Sequence, residues 1–437
     1  MVSGTGIIST RVEYLKRAQP QPDTVSQEVR ETVSRILSDV ERDGDAAVRR
    51  YSRELDGWDP PSFRVTSEEI AEAEAAVDDE LKGHIEFAQN QVRRFAELQR
   101  ATMLDLAEET LPGVILGHRH VPVGAVGSYS PGGRYPMLGS SIMTIVVPKV
   151  AGVGRVAACA PPRRSGGIHP PQLFAMATSA ADEIFCVGGA QALAAFAFGT
   201  EEIDPVDMIV GAGNPYVAEA KRQLFGPVGI DLLAGPTEIL VIGDETADPE
   251  LVAADLLGQA EHGPTSPAVL VTTSPELAAE TVAAVGRLLE TWPTAEVAGT
   301  AWRNHGEVIV CASAEDVVEV SDHYAPEHLE VQVRDPNWFL DRLTNYGSLF
   351  LGAESTVVYS DKAIGTNHVL PTSRAARYTG GLWVGKFLKT LTYQKVTVEG
   401  TRAVAPAAAA ISHAEFMEGH ALTAEIRLER ATRPGAE

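Results

Sequence analysis

The side chains able to do chemistry gather in a few short polar stretches. In QAEHGP, Gln259 and His262 are three residues apart. The run over 251–264 reads as a helix with Val252, Leu256 and Leu257 as its apolar stripe, so the two polar residues share one face in its last turn. Gly263 and Pro264 then stop it. An amide oxygen and an imidazole aimed at one object suit a metal ion, because imidazole binds zinc well and a helix end leaves room for further ligands. The alternative is a polar helix end whose histidine is favoured by the helix dipole. In YAPEHL, Glu327 and His328 set an acid beside an imidazole at a helix-to-strand junction. Such a pair can serve as general acid and base, the plainer reading being an exposed charged turn. Ser360-Asp361-Lys362 and Gly365-Thr366-Asn367-His368 form another polar loop after a strand. Glu415, Glu418 and His420 lie on or beside a terminal helix, where simple solvation is the alternative.

Positioning these groups falls to a long alternation of strands and helices. The first hundred residues are helical, with helices expected over 23–42 and from the Thr66/Glu69 capping-box pattern to about residue 100. From Gly113 short apolar runs are broken by Gly and Pro. Strands are expected over 114–116, 121–126, 155–160, 183–187 and 206–210, interleaved with helices over 142–150, 172–181, 190–198 and 215–225. That pattern implies a parallel sheet covered on both faces. A second α/β unit follows, with strands over 238–242, 268–273, 307–311, 330–333 and 348–351. Beyond about Gly380 the chain turns irregular, with a strand-like 395–398, the Ala-rich 405–410 and a final helix from about Ile411.

Two turns stand out. Gly211-Ala212-Gly213-Asn214-Pro215 follows a strand and opens a helix, where glycines let the backbone approach a phosphate. It is not the dinucleotide fingerprint, because Tyr216 replaces the third glycine; by itself it reads as a tight turn. Gly188-Gly189-Ala190-Gln191 puts a polar Gln at the head of an apolar helix. Two such turns at the carboxyl ends of neighbouring strands suggest a ligand crevice.

Bulk properties narrow the class. At 437 residues the chain is expected to hold more than one domain. A net charge of −23 argues against a nucleic-acid partner, which would require clustered Lys and Arg. No apolar run is long enough for a membrane span, and the N-terminus lacks the order of a signal peptide. Cys159, Cys186 and Cys311 read as buried thiols of a reducing compartment, so a cytoplasmic location is expected.

The motifs in their order resemble the histidinol dehydrogenase family across nearly the whole chain. Carrying the resemblance are QAEHG, YAPEHL, GTNHVLPT, VGGAQALAAFAFGT, GNPYVAEAK, AGPTEILVI and a Tyr-x-Pro-Gly-Gly loop at Tyr129. The resemblance implies an α/β fold of two Rossmann-like parallel-sheet domains, with helical N-terminal and extended C-terminal segments, in a domain-swapped homodimer. It divides the chain into a tail (1–23), a zinc and substrate domain (24–128 plus 238–380), an NAD-binding domain (129–237) and a dimerisation tail (381–437). It further implies a Zn2+- and NAD-dependent oxidation of a primary alcohol through the aldehyde to the carboxylate, consuming two NAD. Zinc would be held by Gln259, His262, Asp361 and His420, the last from the partner chain. His328 would be the general base for the alcohol, and Glu327 would activate water. Tyr129, Gln191 and Asn214 match NAD-contacting positions. Thr237 and Glu415 match substrate-side positions, beside the zinc set and His328.

Several departures are similar to the sulfopropanediol dehydrogenase branch of that family. GAGN replaces GPGN, Thr237 replaces Ser, and Gly385-Lys386 replaces an acidic residue in YTGGLWVGKFLKT. That branch oxidises 2,3-dihydroxypropane-1-sulfonate to 3-sulfolactate, and a sulfonate calls for donors and positive charge where histidinol presents an amine. His118, Arg119, His120, Arg134 and Lys386 are the candidates to supply them. Glu415 would instead suit an amine, so histidinol remains the competing substrate, with another small anionic alcohol or a catalytically inactive metal-binding homologue as further alternatives.

Overall fold

A computed structural model describes residues 12–19, 26–132 and 135–434. The chain opens with β1 (Val12–Lys16), followed by α1 (Gln27–Asp43), α2 (Asp45–Tyr51), α3 (Ser67–Ala76) and α4 (Asp79–Ala101). Ser26 caps α1 through its hydroxyl, Gly44 ends it, and Val33, Ile36, Leu37 and Val40 form its buried stripe. The capping box that opens α3 has both of its bonds, Glu69 N to Thr66 Oγ1 and Thr66 N to Glu69 Oε2.

The first parallel sheet interleaves β4 (Ala125–Tyr129), β5 (Arg155–Ala160), β6 (Glu183–Cys186), β7 (Met208–Val210) and β8 (Gly229–Ile230) with α5 (Leu138–Ala151), α6 (Pro170–Thr178), α7 (Gly189–Phe198) and α8 (Pro215–Leu224). Its order is β6-β5-β4-β7-β8. Strands read as unbroken apolar runs because helices cover both faces. One face packs against α3 to α6, the other against α1, α2, α7 and α8. The opening helices, expected to join the second sheet, therefore cover the first. Their stripes match its faces, whereas both faces of the second sheet are occupied by its own helices.

That second sheet contains β9 (Ile239–Gly243), β10 (Ala268–Thr272), β11 (Gly306–Cys311), β12 (His328–Gln332) and β13 (Ser348–Leu351), in the order β1-β11-β10-β9-β12-β13. Helices α9 (Pro249–Ala260), α10 (Pro275–Leu289), α11 (Ala295–His305), α12 (Ala314–Tyr324), α13 (Pro336–Leu340) and α14 (Val357–Lys362) accompany it. β1, expected to lie in a tail, pairs antiparallel with β11 and closes that edge.

A separate three-stranded sheet joins β2 (Leu106–Leu111), β3 (Val114–Pro122) and β14 (Leu388–Val396). β3 is one strand where two were expected, and β14 is far longer than 395–398, since exposed strands lack the apolar run that reveals buried ones. The Ala-rich stretch lies inside α15 (Val398–Ala414), and α16 (Glu418–Ala431) packs back on it. Together they leave Ile411, Phe416, Met417, Leu422 and Ile426 exposed. Among the described residues no helix is long and apolar enough to cross a membrane.

Candidate active site

Three of the four polar stretches, those of Gln259–His262, Glu327–His328 and Asp361–His368, converge where the amino ends of β9 and β12 approach α5 of the first sheet. His328 opens β12 and Glu327 immediately precedes it, buried at 2 and 5% exposure. The exposed-turn reading of the pair is thereby corrected. Glu327 Oε2 accepts from Glu238 N at 2.9 Å and from the Thr237 hydroxyl, which in turn accepts from Gln259 Nε2. His328 Nδ1 lies 3.1 Å from Glu238 O and 3.4 Å from Gln259 Nε2. Its Nε2 faces Asp361 Oδ1 at 3.7 Å, and both of these buried atoms lack a hydrogen-bond partner.

Two elements differ from the sequence-based expectation in ways that matter here. α9 ends at Ala260 with Glu261 as its cap, so His262 lies just beyond the helix, its N–H 3.3 Å from Gln259 O. Asp361 sits in the last turn of α14 and not in a loop. Its backbone oxygen is 3.1 Å from His368 Nδ1, while His368 Nε2 meets Ser140 Oγ at 2.8 Å. A Cβ on Gly139 would come within 2.4 Å of Asp361 O, so only glycine lets α5 approach this closely. Through this contact the two sheets share one site.

Charge is concentrated here. Burial opposes a charged His328, but Glu327 and Asp361 overcome it and hold its pKa well above the ordinary imidazole value. Burial likewise disfavours ionised Asp361, yet the facing His328 and the nearby His368 and Lys362 hold it well below the usual carboxylate range. For His262 burial outweighs the pull of Asp361 and lowers its pKa, which favours the neutral imidazole a metal needs. Burial and the neighbouring Glu327 push Glu238 up to about 8.

Gln259, His262 and Asp361 line one cavity of about 390 Å³, together with Tyr135, Asp255 and Lys362. Among the described residues no group of three or more His, Cys, Asp and Glu side chains could hold a metal ion. His420 and Glu415 are exposed, at the start of α16 and the end of α15, and one chain does not bring them to the cavity. Of the candidate sulfonate partners, His118, Arg119 and His120 lie on β3 in the separate sheet. His118 Nε2 is 3.3 Å from Leu104 O, His120 Nδ1 is 3.2 Å from Thr390 Oγ1, and Lys386 donates to Thr379 at 3.0 Å. None of the four lines the cavity, and Arg134 lies outside the described residues. Among the described residues the Lys or Arg side chain that does line it is Lys362, marked in the sequence only by its place beside Asp361.

At the carboxyl end of the first sheet, Tyr129 ends β4 with its hydroxyl 3.4 Å from Gly189 N. Gln191 Nε2 reaches Asp56 Oδ2 at 3.3 Å, leaving its Oε1 buried without a partner. Asn214 caps α8, its Oδ1 accepting from Tyr216 N and Val217 N at 3.0 and 3.1 Å. The turns carrying Gln191 and Asn214 follow β6 and β7, which are not neighbours; β5 and β4 lie between them. The strand order instead reverses between β4 and β7, the place where parallel sheets form a crevice for ligands. Tyr129 and Gly211–Asn214 flank it.

The sequence profile of a family described as Histidinol dehydrogenase matches residues 19–428. The chain belongs to the histidinol dehydrogenase family. A histidinol dehydrogenase homolog of Shouchella clausii is 52% identical over 96% of this chain and 99% of its own length. The sulfopropanediol 3-dehydrogenase of Ruegeria pomeroyi is 48% identical over 96% of this chain and 97% of its own. A crystal structure of histidinol dehydrogenase from Elizabethkingia anophelis superposes with a TM-score of 0.90 at 35% identity, covering 94% of both chains. As a histidinol dehydrogenase family member the chain is an oxidoreductase, of a family that is NAD-dependent and zinc-binding in general.

Proposed function

We propose that this family member oxidises 2,3-dihydroxypropane-1-sulfonate through the aldehyde to 3-sulfolactate, with zinc and two NAD. The observation that carries the chemistry is the buried Glu327–His328 pair facing Asp361, whose Oδ1 has no hydrogen-bond partner. A buried carboxylate oxygen with no hydrogen-bond partner is costly, and a cation seated on it would offset that cost. Gln259, His262 and Asp361 fit such a cation: an amide, a neutral imidazole and an ionised carboxyl on one cavity. His420 of the partner subunit would complete the set, and Glu415 of the partner subunit would stand near the substrate. The apolar face left open on α15 and α16 supports a homodimer in which that hairpin is covered by a second copy. When bound, zinc would supply Lewis acidity that lowers the alcohol's pKa and fixes its oxygen.

The chain's own residues would do the rest. His328 donates from Nδ1 to Glu238 O, which leaves Nε2 to take the alcohol proton. Glu327 and Asp361 both raise this imidazole's pKa, and a cation on Asp361 would offset one of the two, favouring the neutral base. NAD would be held at the carboxyl end of the first sheet by Tyr129, Gln191 and Asn214 and would supply the hydride acceptor for the carbinol carbon. Glu327 then takes a proton from the water that adds to the aldehyde, and Thr237 and Glu238 N hold its carboxylate in place. A second NAD would accept hydride from the hydrate, while His328, having released its first proton to solvent, would take one hydroxyl proton and the acid would release the other, giving the carboxylate.

For the substrate, support comes from the full-length likeness to a sulfopropanediol 3-dehydrogenase and from Lys362 on the cavity wall. The test is NADH release from dihydroxypropanesulfonate and from histidinol, measured side by side. Turnover of histidinol with none of the sulfonate would overturn the substrate reading; release from neither would favour a metal-binding homologue without activity.

A further inference from the structure

Beneath the turn between β7 and α8 lie two charges that the reaction does not use. Lys221 on α8 and Asp231 just past β8 form an ion pair at 1 and 4% exposure. Neither stops at the other. Lys221 Nζ donates to Gly211 O at 2.8 Å, and Asp231 Oδ2 accepts from Gly211 N at 2.8 Å. Asp231 Oδ1 also accepts from Leu232 N at 2.6 Å. The N–H and the carbonyl of one glycine are thus both held by a single buried pair.

That glycine is itself constrained. Gly211 has a φ of 113°, and a Cβ there would come within 2.1 Å of Tyr129 O. The turn therefore presses against the end of β4, and three residues later Asn214 opens α8. The side-chain oxygen of Asn214 is spent on the helix cap, while its NH2 group makes no hydrogen bond among the described residues. A buried ion pair is a weak source of stability, because desolvation offsets most of the attraction. What this one provides is a fixed backbone.

We infer that Lys221 and Asp231 are positioning residues for the dinucleotide: by holding both polar groups of Gly211 they set the spacing between Tyr129 and Asn214 across the β4–β7 crevice. The inference rests on the proposed use of NAD at that crevice.

The full chain is compared with K221M/D231L, which removes both charges together, and with D231N, which keeps the side-chain shape. Each is assayed for NAD binding by fluorescence, for KM with either substrate, for kcat at saturating NAD and for melting temperature. The expected result is a rise of about tenfold in KM for NAD, the size of losing charge-assisted bonds to one peptide. KM for the alcohol, kcat at saturating NAD and zinc content stay near those of the parent. A pair that only stabilises the fold would lower the melting temperature of D231N and leave KM for NAD unchanged in whichever variant folds; that result overturns the inference. A parent chain that fails to bind NAD overturns the cofactor reading, and this inference with it.

Discussion

Nε2 of His328 and Oδ1 of Asp361 face each other across 3.7 Å, both buried and both without a hydrogen-bond partner. Direct contact would have joined them at about 2.8 Å. The longer gap keeps a nitrogen and an oxygen available to whatever enters from the cavity. His262, neutral by burial, lines the same space. Replacing His262 with Ala should therefore remove bound zinc and lower kcat about a thousandfold, the loss of several kcal/mol of charge stabilisation. Metal content by plasma mass spectrometry and NADH release are read on one preparation. Unchanged turnover in the metal-free variant would defeat the metal reading.

Thr237 is the single hydroxyl linking Gln259 to Glu327. Thr237→Val keeps the volume but leaves the Gln259 amide without its acceptor and the Glu327 carboxylate without one donor. The aldehyde step, which relies on Glu327, should slow by about tenfold to a hundredfold. The first hydride transfer should slow less. Thr237→Ser should restore both. Single-turnover rates from alcohol and from aldehyde separate the two steps, and equal slowing of both would contradict the assignment of Glu327 to water.

Much of this site was legible in the sequence because its parts lie within short motifs. Gln259 and His262 are near neighbours in the chain and line the cavity, and Glu327 and His328 are adjacent, buried behind it where His328 faces Asp361. Asp255 and Lys362, which line the same cavity, carry no local signal, and neither does Glu238, which touches the pair through its backbone. The link from Ser140 through His368 to Asp361 spans more than two hundred residues, and no periodicity reveals it. Most strands of the two parallel sheets were legible because buried strands are continuous apolar runs, but the two-residue β8 and most of β4, whose Tyr129 was expected in a loop, were not. β14 and α15 were not: one is an exposed strand, the other an Ala-rich helix with a proline inside it and no clear stripe. The packing of α1 to α4 on the first sheet is a tertiary choice between two apolar surfaces, which a stripe alone does not decide.

Asp255 and Glu330 form a buried carboxyl pair beside the cavity, and burial raises the pKa of both. Thr356 Oγ1 donates to Asp255 and Val357 N to Glu330, so the pair anchors the start of the helix carrying Asp361. With folded pKa values above the unfolded ones, the native state keeps protons that the unfolded chain has released. Stability from this source is present below the unfolded carboxyl pKa and is lost as pH rises through the folded values. Glu330→Gln should remove part of that dependence, flattening the fall in stability on the alkaline side by up to about 1.4 kcal/mol per pH unit. Denaturant melts from pH 5 to 9 test it, and parallel curves for parent and variant would refute it.

The exposed hairpin of α15 and α16 carries His420, while Gln259, His262 and Asp361 belong to the body of the chain. If a second copy completes each site, His262→Ala and His420→Ala should each be inactive alone, since every site in either homodimer lacks one ligand. Unfolded together and refolded as a mixture, they should recover activity. In a mixed dimer one site receives both substitutions and the other receives none. Random pairing makes half the dimers mixed, each with one intact site of two, so recovery should approach about a quarter of the parent's activity. A site built wholly within one chain would recover nothing, because no chain in the mixture carries both histidines. Phe416→Asp, placed on the open apolar face, should weaken the dimer in sedimentation velocity and abolish the recovery along with it.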